Sequence, residues 1–233
     1  MKTTRDSGGS GSRELKTRVK TARKRTLSST LWLQRQLNDP YVARAKREGW
    51  RSRAAFKLLE IDEKYRLLHS GQRIVDLGAA PGGWSQAAAK KVKSAQGQGK
   101  VVGIDLLEIE PIAGVDFAVR DFLAPETPEI LKTMLGGEAD GVLSDMAANT
   151  TGHKKTDHLR IVHLAELAAD FAGDVLKEGG FFLCKLFQGG ETGELVMRLK
   201  RDYGLVRHIK PNASRADSAE LYVLATGFRA SPK

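Results

Sequence analysis

Lys185 interrupts an apolar run, FFLCKLF (residues 181–187). An unpaired ammonium is costly to bury, so an acidic partner has to reach it. Two carboxylates stand at comparable places: Asp145 closes the run ADGVLSD, and Glu220 opens ELYVLA. Such a trio can be a structural ion pair across a sheet. It can also hold a lysine where a substrate hydroxyl needs a proton acceptor or a counter-charge. A second constellation is VDLGAAPGGWSQ (75–86). It reads as a strand, a Gly-rich turn and a helix start, the layout that brings a nucleotide close to backbone N–H groups. A dinucleotide fingerprint would need glycine at Ala80, and no GK[ST] follows for a phosphate loop. Asp105 ends the next strand, where a carboxylate commonly holds ribose hydroxyls. Asp121 follows the strand after that, in reach of an adenine amino group. Either acid alone could simply cap a loop; the three features in register favour a nucleoside-containing ligand.

These residues need a scaffold that gathers strand ends. From about residue 52 the chain alternates apolar strand-like runs with helical patterns. Residues 53–68 place Phe56, Leu58, Leu59, Ile61, Tyr65 and Leu68 mostly on one helical stripe. Strands are expected at 73–78, 100–107, 115–122, 139–146, 181–187, 205–209 and 220–225. Helices are expected from Gly83, at 125–135, 157–176 and 192–203, with a Gly-Gly turn at 179–180. This order predicts an α/β fold, a mainly parallel sheet with helices on both faces. The short link between the last two strands predicts an antiparallel pair at the sheet edge. In such a sheet the ligand crevice lies at the carboxyl ends of the strands, where Asp145 points.

Charge is distributed unevenly over the 233 residues. Residues 1–57 hold 16 Lys and Arg against 4 Asp and Glu; the remainder is nearly neutral, and the whole chain carries +10. Residues 1–30, with SGGSGS and KTRVKTARKR, lack the apolar content to order themselves and read as a disordered basic tail. It serves as a solubilising segment or as an electrostatic arm for nucleic acid. Residues 31–51 mix basic side chains with Trp32, Tyr41 and Trp50, which can stack on bases or dock the segment on the core. No segment is long and apolar enough to span a bilayer, and no secretory signal is recognised, so a cytoplasmic protein without a membrane partner is expected. The single cysteine, Cys184, excludes an intrachain disulfide and reads as an ordinary buried residue. His153, His158 and His163 are spaced five apart, which does not put them on one helical face; no metal site is expected.

Six segments, SRAAFKLLEID (52–62), DLGAAPGGWSQ (76–86), GIDLLEIEP (103–111), SDMAANTTG (144–152), CKLFQG (184–189) and SAELYVLATGF (218–228), together resemble the RlmE/FtsJ family. These are S-adenosylmethionine-dependent 2′-O-ribose methyltransferases of ribosomal RNA. The resemblance covers about residues 35–229. It implies a Rossmann-like class I methyltransferase fold over 52–229, with a seven-stranded, mostly parallel sheet and one antiparallel edge strand. Residues 31–51 then become a basic RNA-binding extension. The family's Lys-Asp-Lys-Glu tetrad falls on Lys57, Asp145, Lys185 and Glu220. Its cofactor positions fall on Gly82, Trp84, Asp105, Asp121 and Asp145. S-adenosylmethionine would be converted to S-adenosylhomocysteine without a metal. One departure is Ala148, where the family pattern SDMAPN has proline; this loosens a loop and removes no chemical group.

The implied reaction is attack of a ribose 2′ oxygen on a sulfonium methyl group. Lys185 either takes the hydroxyl proton or stays charged and stabilises the alkoxide. Burial and Lys57 favour the neutral form, while Asp145 and Glu220 favour the charged one. The family substrate is a uridine in the A loop of 23S ribosomal RNA, in the large ribosomal subunit. A transfer RNA ribose, or a non-catalytic RNA-binding assembly factor, are the alternatives; the intact tetrad argues against the latter. Nothing in the sequence demands a dimer, and a monomer is expected.

Overall fold

The computed structural model describes Thr21 and residues 26–148, 151–189 and 192–230. The chain divides into two units between Arg44 and Ala45. In the first, α1 (Leu27–Leu37) starts at Thr26, whose side-chain oxygen accepts the Ser29 N–H, an N-terminal cap. The expected tail boundary at residue 30 therefore falls inside a helix. The rest of that tail, Thr21 and Thr26 apart, lies outside the described residues, as does the side chain of Trp32. Helix α2 (Pro40–Glu48) carries the basic residues Arg44, Lys46 and Arg47.

In the second unit, α3 (Ala55–Tyr65) ends at Arg66, in the left-handed conformation. There the buried Asp62 carboxylate accepts the N–H groups of Leu67 and Leu68 and turns the chain into the sheet. The remaining elements are β1 (Arg73–Leu77), α4 (Gly83–Val92), β2 (Lys100–Asp105), β3 (Val115–Val119), α5 (Thr127–Leu135), β4 (Ala139–Ser144), α6 (Lys154–Val175), β5 (Leu176–Phe187), α7 (Gly193–Asp202), β6 (Tyr203–Ile209) and β7 (Glu220–Phe228). Among the described residues seven strands form one sheet, in the order β3-β2-β1-β4-β5-β7-β6. Strands β3, β2, β1, β4 and β5 pair in parallel. The expected antiparallel pair is present, but the reversed strand is β7, which inserts between β5 and the edge strand β6.

Strand periodicity sorts side chains onto two faces. Val75, Leu77, Val142, Cys184, Leu186, Val223 and Ala225 pack with α5, α6 and α7. Ile74, Leu143, Leu183, Tyr222 and Leu224 pack with α3 and α4. By the same alternation Asp76, Lys185 and Glu220 fall on the α3/α4 face. The expected Gly-Gly turn at 179–180 is not a turn between elements. β5 already pairs at Leu176 with Ala139, and the register slips before Phe181 meets Gly141. The two glycines form an irregularity inside a longer strand, Gly179 taking a positive φ of 78°.

The strand order reverses direction between β1 and β4, the topological switch point where ligands bind in open α/β sheets. Here β1 runs into the Gly-rich turn and β4 into Asp145, whose N–H bonds the Leu77 carbonyl. A Cβ on Gly78 would lie 2.8 Å from the Cα of Met146, and its φ is 79°. Only glycine lets the turn lie against the segment that follows Asp145.

Candidate active site

Parity on two antiparallel neighbours builds the centre of the site. Lys185 of β5 lies directly opposite Tyr222 of β7, and Phe187 opposite Glu220. Lys185, Tyr222 and Glu220 thus project from the same face, toward α3. Lys57, in the first turn of α3, meets them there. Its Nζ lies 2.7 Å from Glu220 Oε1 and 2.8 Å from Oε2, and donates to the Tyr222 hydroxyl at 3.1 Å. That hydroxyl donates to Asp145 Oδ1 at 2.8 Å. Lys185 Nζ donates to the Asp145 backbone carbonyl at 2.6 Å and lies 3.2 Å from Asp145 Oδ1. Ser214 Oγ donates to Glu220 Oε1 at 2.8 Å. The four tetrad positions are brought together as two ion pairs, joined by one phenol. Lys185 takes Asp145 as its partner, and Glu220 is taken by Lys57.

The electrostatics follow from burial and these contacts. Burial pushes the Asp145 carboxyl up. The charges of Lys185 and Lys57, with hydrogen bonds from Tyr222 and Lys185, outweigh it and hold the carboxyl below its ordinary value. Burial, reinforced by the charges of Asp145 and Glu220, pushes the Tyr222 phenol well above its ordinary value. The phenol remains a donor across any working pH. Cys184 is buried beside Lys185, and burial pushes its thiol up to about 12, so it is no nucleophile.

Beside this network lies a cavity of about 330 Å³, bounded by Gly78, Ile104, Asp105, Phe122, Met146 and the first half of α6. Of the expected cofactor residues, Asp105 and Asp121 line it, and Asp145 immediately precedes Met146 on its wall. Both lining acids also organise loops. Asp105 Oδ2 accepts the Ala80 N–H of the Gly-rich turn and Oδ1 the Leu107 N–H, each at 2.9 Å; Asp121 Oδ1 accepts Leu123 N–H at 2.9 Å. Gly82 and Trp84 are not on the cavity wall described. Trp84 is 2% exposed; its indole N–H donates to the Ala54 carbonyl at 2.8 Å and its ring packs 5.5 Å from Tyr222. Trp84 thereby sets the position of the phenol that links the ion pairs. Trp50 docks on the core. Its ring lies 6.5 Å edge-on from Phe56 and carries Lys90 Nζ 4.1 Å from its centroid.

Several contributors were missed by reading the sequence. Tyr222 sits two residues after Glu220, so strand parity alone marked it as sharing that face. Asp76, in β1, is fully buried. Its Oδ2 accepts Ser85 Oγ–H at 2.6 Å, while Oδ1 meets no hydrogen-bond partner among the described residues. Burial pushes this carboxyl up to about 7 against the opposing Ser85 bond, and the charges of Asp145 and Asp105 add to the rise. Arg51 donates to the carbonyls of Glu110 and Pro111 at 2.7 and 2.6 Å, and its N–H donates to Gln86 Oε1. It straps the β2–β3 loop to the segment leading into Lys57. Nothing local in RSR marks that contact, which spans about sixty residues.

Known proteins share this arrangement of elements and sequence. A family model described as FtsJ-like methyltransferase matches residues 50–228. A protein of Xanthobacter autotrophicus named ribosomal RNA large subunit methyltransferase E is 72% identical over 221 residues, covering 95% of this chain and 87% of its own. A protein of the same name from Azorhizobium caulinodans is 70% identical over 219 residues, covering 94% and 91%. A crystal structure described as a ribosomal RNA methyltransferase from Plasmodium falciparum superimposes with a TM-score of 0.69 at 30% identity, over 78% of this chain and all of that one. With the family match running from the strap before Lys57 to the end of β7, the chain belongs to the FtsJ-like methyltransferases.

Proposed function

We propose that this protein transfers a methyl group from S-adenosylmethionine to a ribose 2′-hydroxyl of large-subunit ribosomal RNA, a uridine of the 23S A loop. The observation that carries the reading is the Lys57–Glu220 and Asp145–Lys185 pairs, joined through Tyr222, at strand ends beside a nucleoside-sized cavity. The names of the relatives supply the RNA class.

The residues present fit the cofactor. Ile104, Phe122, Leu123 and Met146 give apolar walls for a flat base, and Asp105 and Asp121 give acceptors for hydroxyl and amino groups. The missing Cβ of Gly78 keeps the turn close to Met146. When bound, S-adenosylmethionine supplies a methyl group made electrophilic by its sulfonium, so the protein has only to prepare the hydroxyl. Lys185, after its ammonium releases a proton to solvent, receives the hydroxyl proton as a general base. Asp145 holds Lys185 Nζ at one point through two acceptors and stays ionised. Lys57, fixed by Glu220 and Tyr222, presents positive charge where the 2′ oxygen becomes negative. The strongly basic first 57 residues supply electrostatic grip on RNA. A cytoplasmic place of work, where large subunits mature, follows from this reading.

The test is methyl transfer from labelled S-adenosylmethionine to large ribosomal subunits lacking ribose methylation, with the product mapped by nuclease digestion and mass spectrometry. One 2′-O-methyluridine in the A loop, absent with Lys185→Ala although that variant still binds cofactor, is the expected result. Near-normal turnover of Lys185→Ala overturns its role. No transfer to subunits despite cofactor binding overturns the substrate.

A further inference from the structure

The connection between β6 and β7 reaches back to α3. Ala213, fully buried within it, has both backbone groups engaged from that side. Its N–H donates to Glu60 Oε2 at 3.0 Å, and its carbonyl accepts from the guanidinium of Arg53, in the segment leading into α3. The next residue, Ser214, is buried, and its own N–H donates to the Pro211 carbonyl at 2.9 Å. Its hydroxyl donates to Glu220 Oε1 at 2.8 Å, the oxygen that lies 2.7 Å from Lys57 Nζ. Lys57 and Glu60 stand three residues apart, on one side of the helix. The contacts close a circuit. α3 holds Ala213, Ala213 fixes Ser214, Ser214 orients Glu220, and Glu220 holds Lys57 of the same helix.

This circuit does more than satisfy a loop. Lysine and glutamate both carry long side chains, and an ion pair between them must hold both in one geometry against their rotamer freedom. The pair by itself does not say where in space that geometry lies. A serine hydroxyl stands close to its own backbone, and here that backbone is fixed by hydrogen bonds on either side of Ser214. The bond from Ser214 therefore carries a fixed position out to the carboxylate, which the bond from Lys57 cannot do. Stabilisation of developing charge depends on such preorganisation, because a cation that must first be ordered contributes less at the moment of reaction.

We propose that Ser214 is a positioning residue for methyl transfer. It orients the Glu220 carboxylate, which sets the Lys57 ammonium against the 2′ oxygen as that oxygen becomes negative. The contacts of Arg53 and Glu60 to Ala213 supply the reference, and tie it to the helix that bears Lys57. The assignment rests on the ribose-methyltransferase reading. Ser214 does not line the cavity, and it acts through Glu220 rather than on the reacting atoms.

The experiment compares the full-length protein with Ser214→Ala, Glu220→Ala and the double variant. Single-turnover methyl transfer to large subunits lacking ribose methylation gives the rate, calorimetry gives S-adenosylmethionine affinity, and thermal melting controls for folding. Ser214→Ala loses a hydrogen bond to a charged group but leaves Lys57 on Glu220, so the rate should fall about 5–30-fold. Cofactor affinity should be unchanged. With Glu220 already removed Ser214 has nothing to orient, so the double variant should be no slower than Glu220→Ala. A second readout does not need turnover. In protein carrying isotope-labelled lysine, the Lys57 ammonium, identified by its absence from Lys57→Met, gives a proton–nitrogen signal that reports its hydrogen bonds. That signal should shift and broaden in Ser214→Ala. A rate within about twofold of the parent, the same fractional loss in the Glu220→Ala background, or an unmoved Lys57 signal would each overturn the role. If the parent transfers no methyl group the function reading fails, while the ammonium signal still decides whether Ser214 fixes Lys57.

Discussion

Replacing Tyr222 with phenylalanine removes one hydroxyl and leaves both ion pairs in place. That hydroxyl donates to Asp145 Oδ1 at 2.8 Å and accepts from Lys57 Nζ at 3.1 Å. It is the hydrogen-bonded link between the two halves of the tetrad, which are also coupled by the charge of Lys57 acting on Asp145. Hydrogen bonds to charged groups contribute about 1.5–3 kcal/mol each, but Lys57 keeps Glu220 and Asp145 keeps Lys185, so part of that is recovered. The expected loss in Tyr222→Phe is about 1.4–2.8 kcal/mol of transition-state stabilisation, a fall in kcat of roughly 10–100-fold. KM for S-adenosylmethionine should stay near that of the parent, because Tyr222 does not line the cavity. The phenol stays protonated at any assay pH, so the shape of the pH–rate profile should not change. Single-turnover methyl transfer to large subunits lacking ribose methylation, with thermal melting as a folding control, reads this directly. A double-mutant cycle with Lys57→Met adds a second criterion. If Lys57 acts through Tyr222, the two losses should be non-additive by about 0.5–3 kcal/mol. Turnover of Tyr222→Phe within twofold of the parent, or strict additivity with Lys57→Met, would refute the linkage.

Two further outcomes are expected. The Asp76 carboxyl is pushed from 3.8 to about 7, a penalty on its ionised form of roughly 4 kcal/mol. The sign is that of a raised acid: the neutral form is no burden below pH 3.8, and stability is lost as pH rises through about 7. Asp76→Asn keeps an acceptor for Ser85, so urea unfolding at pH 5 and pH 8 should show a smaller drop than in the parent. An equal drop in both proteins would remove Asp76 as the cause. Arg51→Ala frees the β2–β3 loop from the strap before Lys57. KM for S-adenosylmethionine should rise about 5–30-fold, equivalent to about 1–2 kcal/mol, with kcat at saturation nearly unchanged; a fall in kcat without a change in KM would place Arg51 elsewhere in the reaction.

Local chemistry made much of this protein legible before any coordinates. Alternating apolar runs and amphipathic stripes determined the α/β order, because a strand's two-residue period and a helix's 3.6-residue period are written in neighbouring residues. The glycines of the turn after β1, and the acids ending β2 and β4, were readable for the same reason. A lysine inside an apolar strand announced that a carboxylate must come to it.

Which carboxylate came was decided only in three dimensions. Glu220 could have served Lys185, and pairs instead with Lys57, 163 residues away. β7 inserts antiparallel beside β5, which sets Tyr222 opposite Lys185 and leaves Glu220 two residues further on, under α3. Trp84, expected at the cofactor, is turned to the core, where it packs against Tyr222. The Gly-Gly pair at 179–180, a turn by local rules, became an irregularity within β5 because Leu176 had already found Ala139 on β4. Sequence determines which face of its own element a side chain occupies. The partner across that face depends on which distant strand or helix is packed there, and that follows from the topology of the whole sheet.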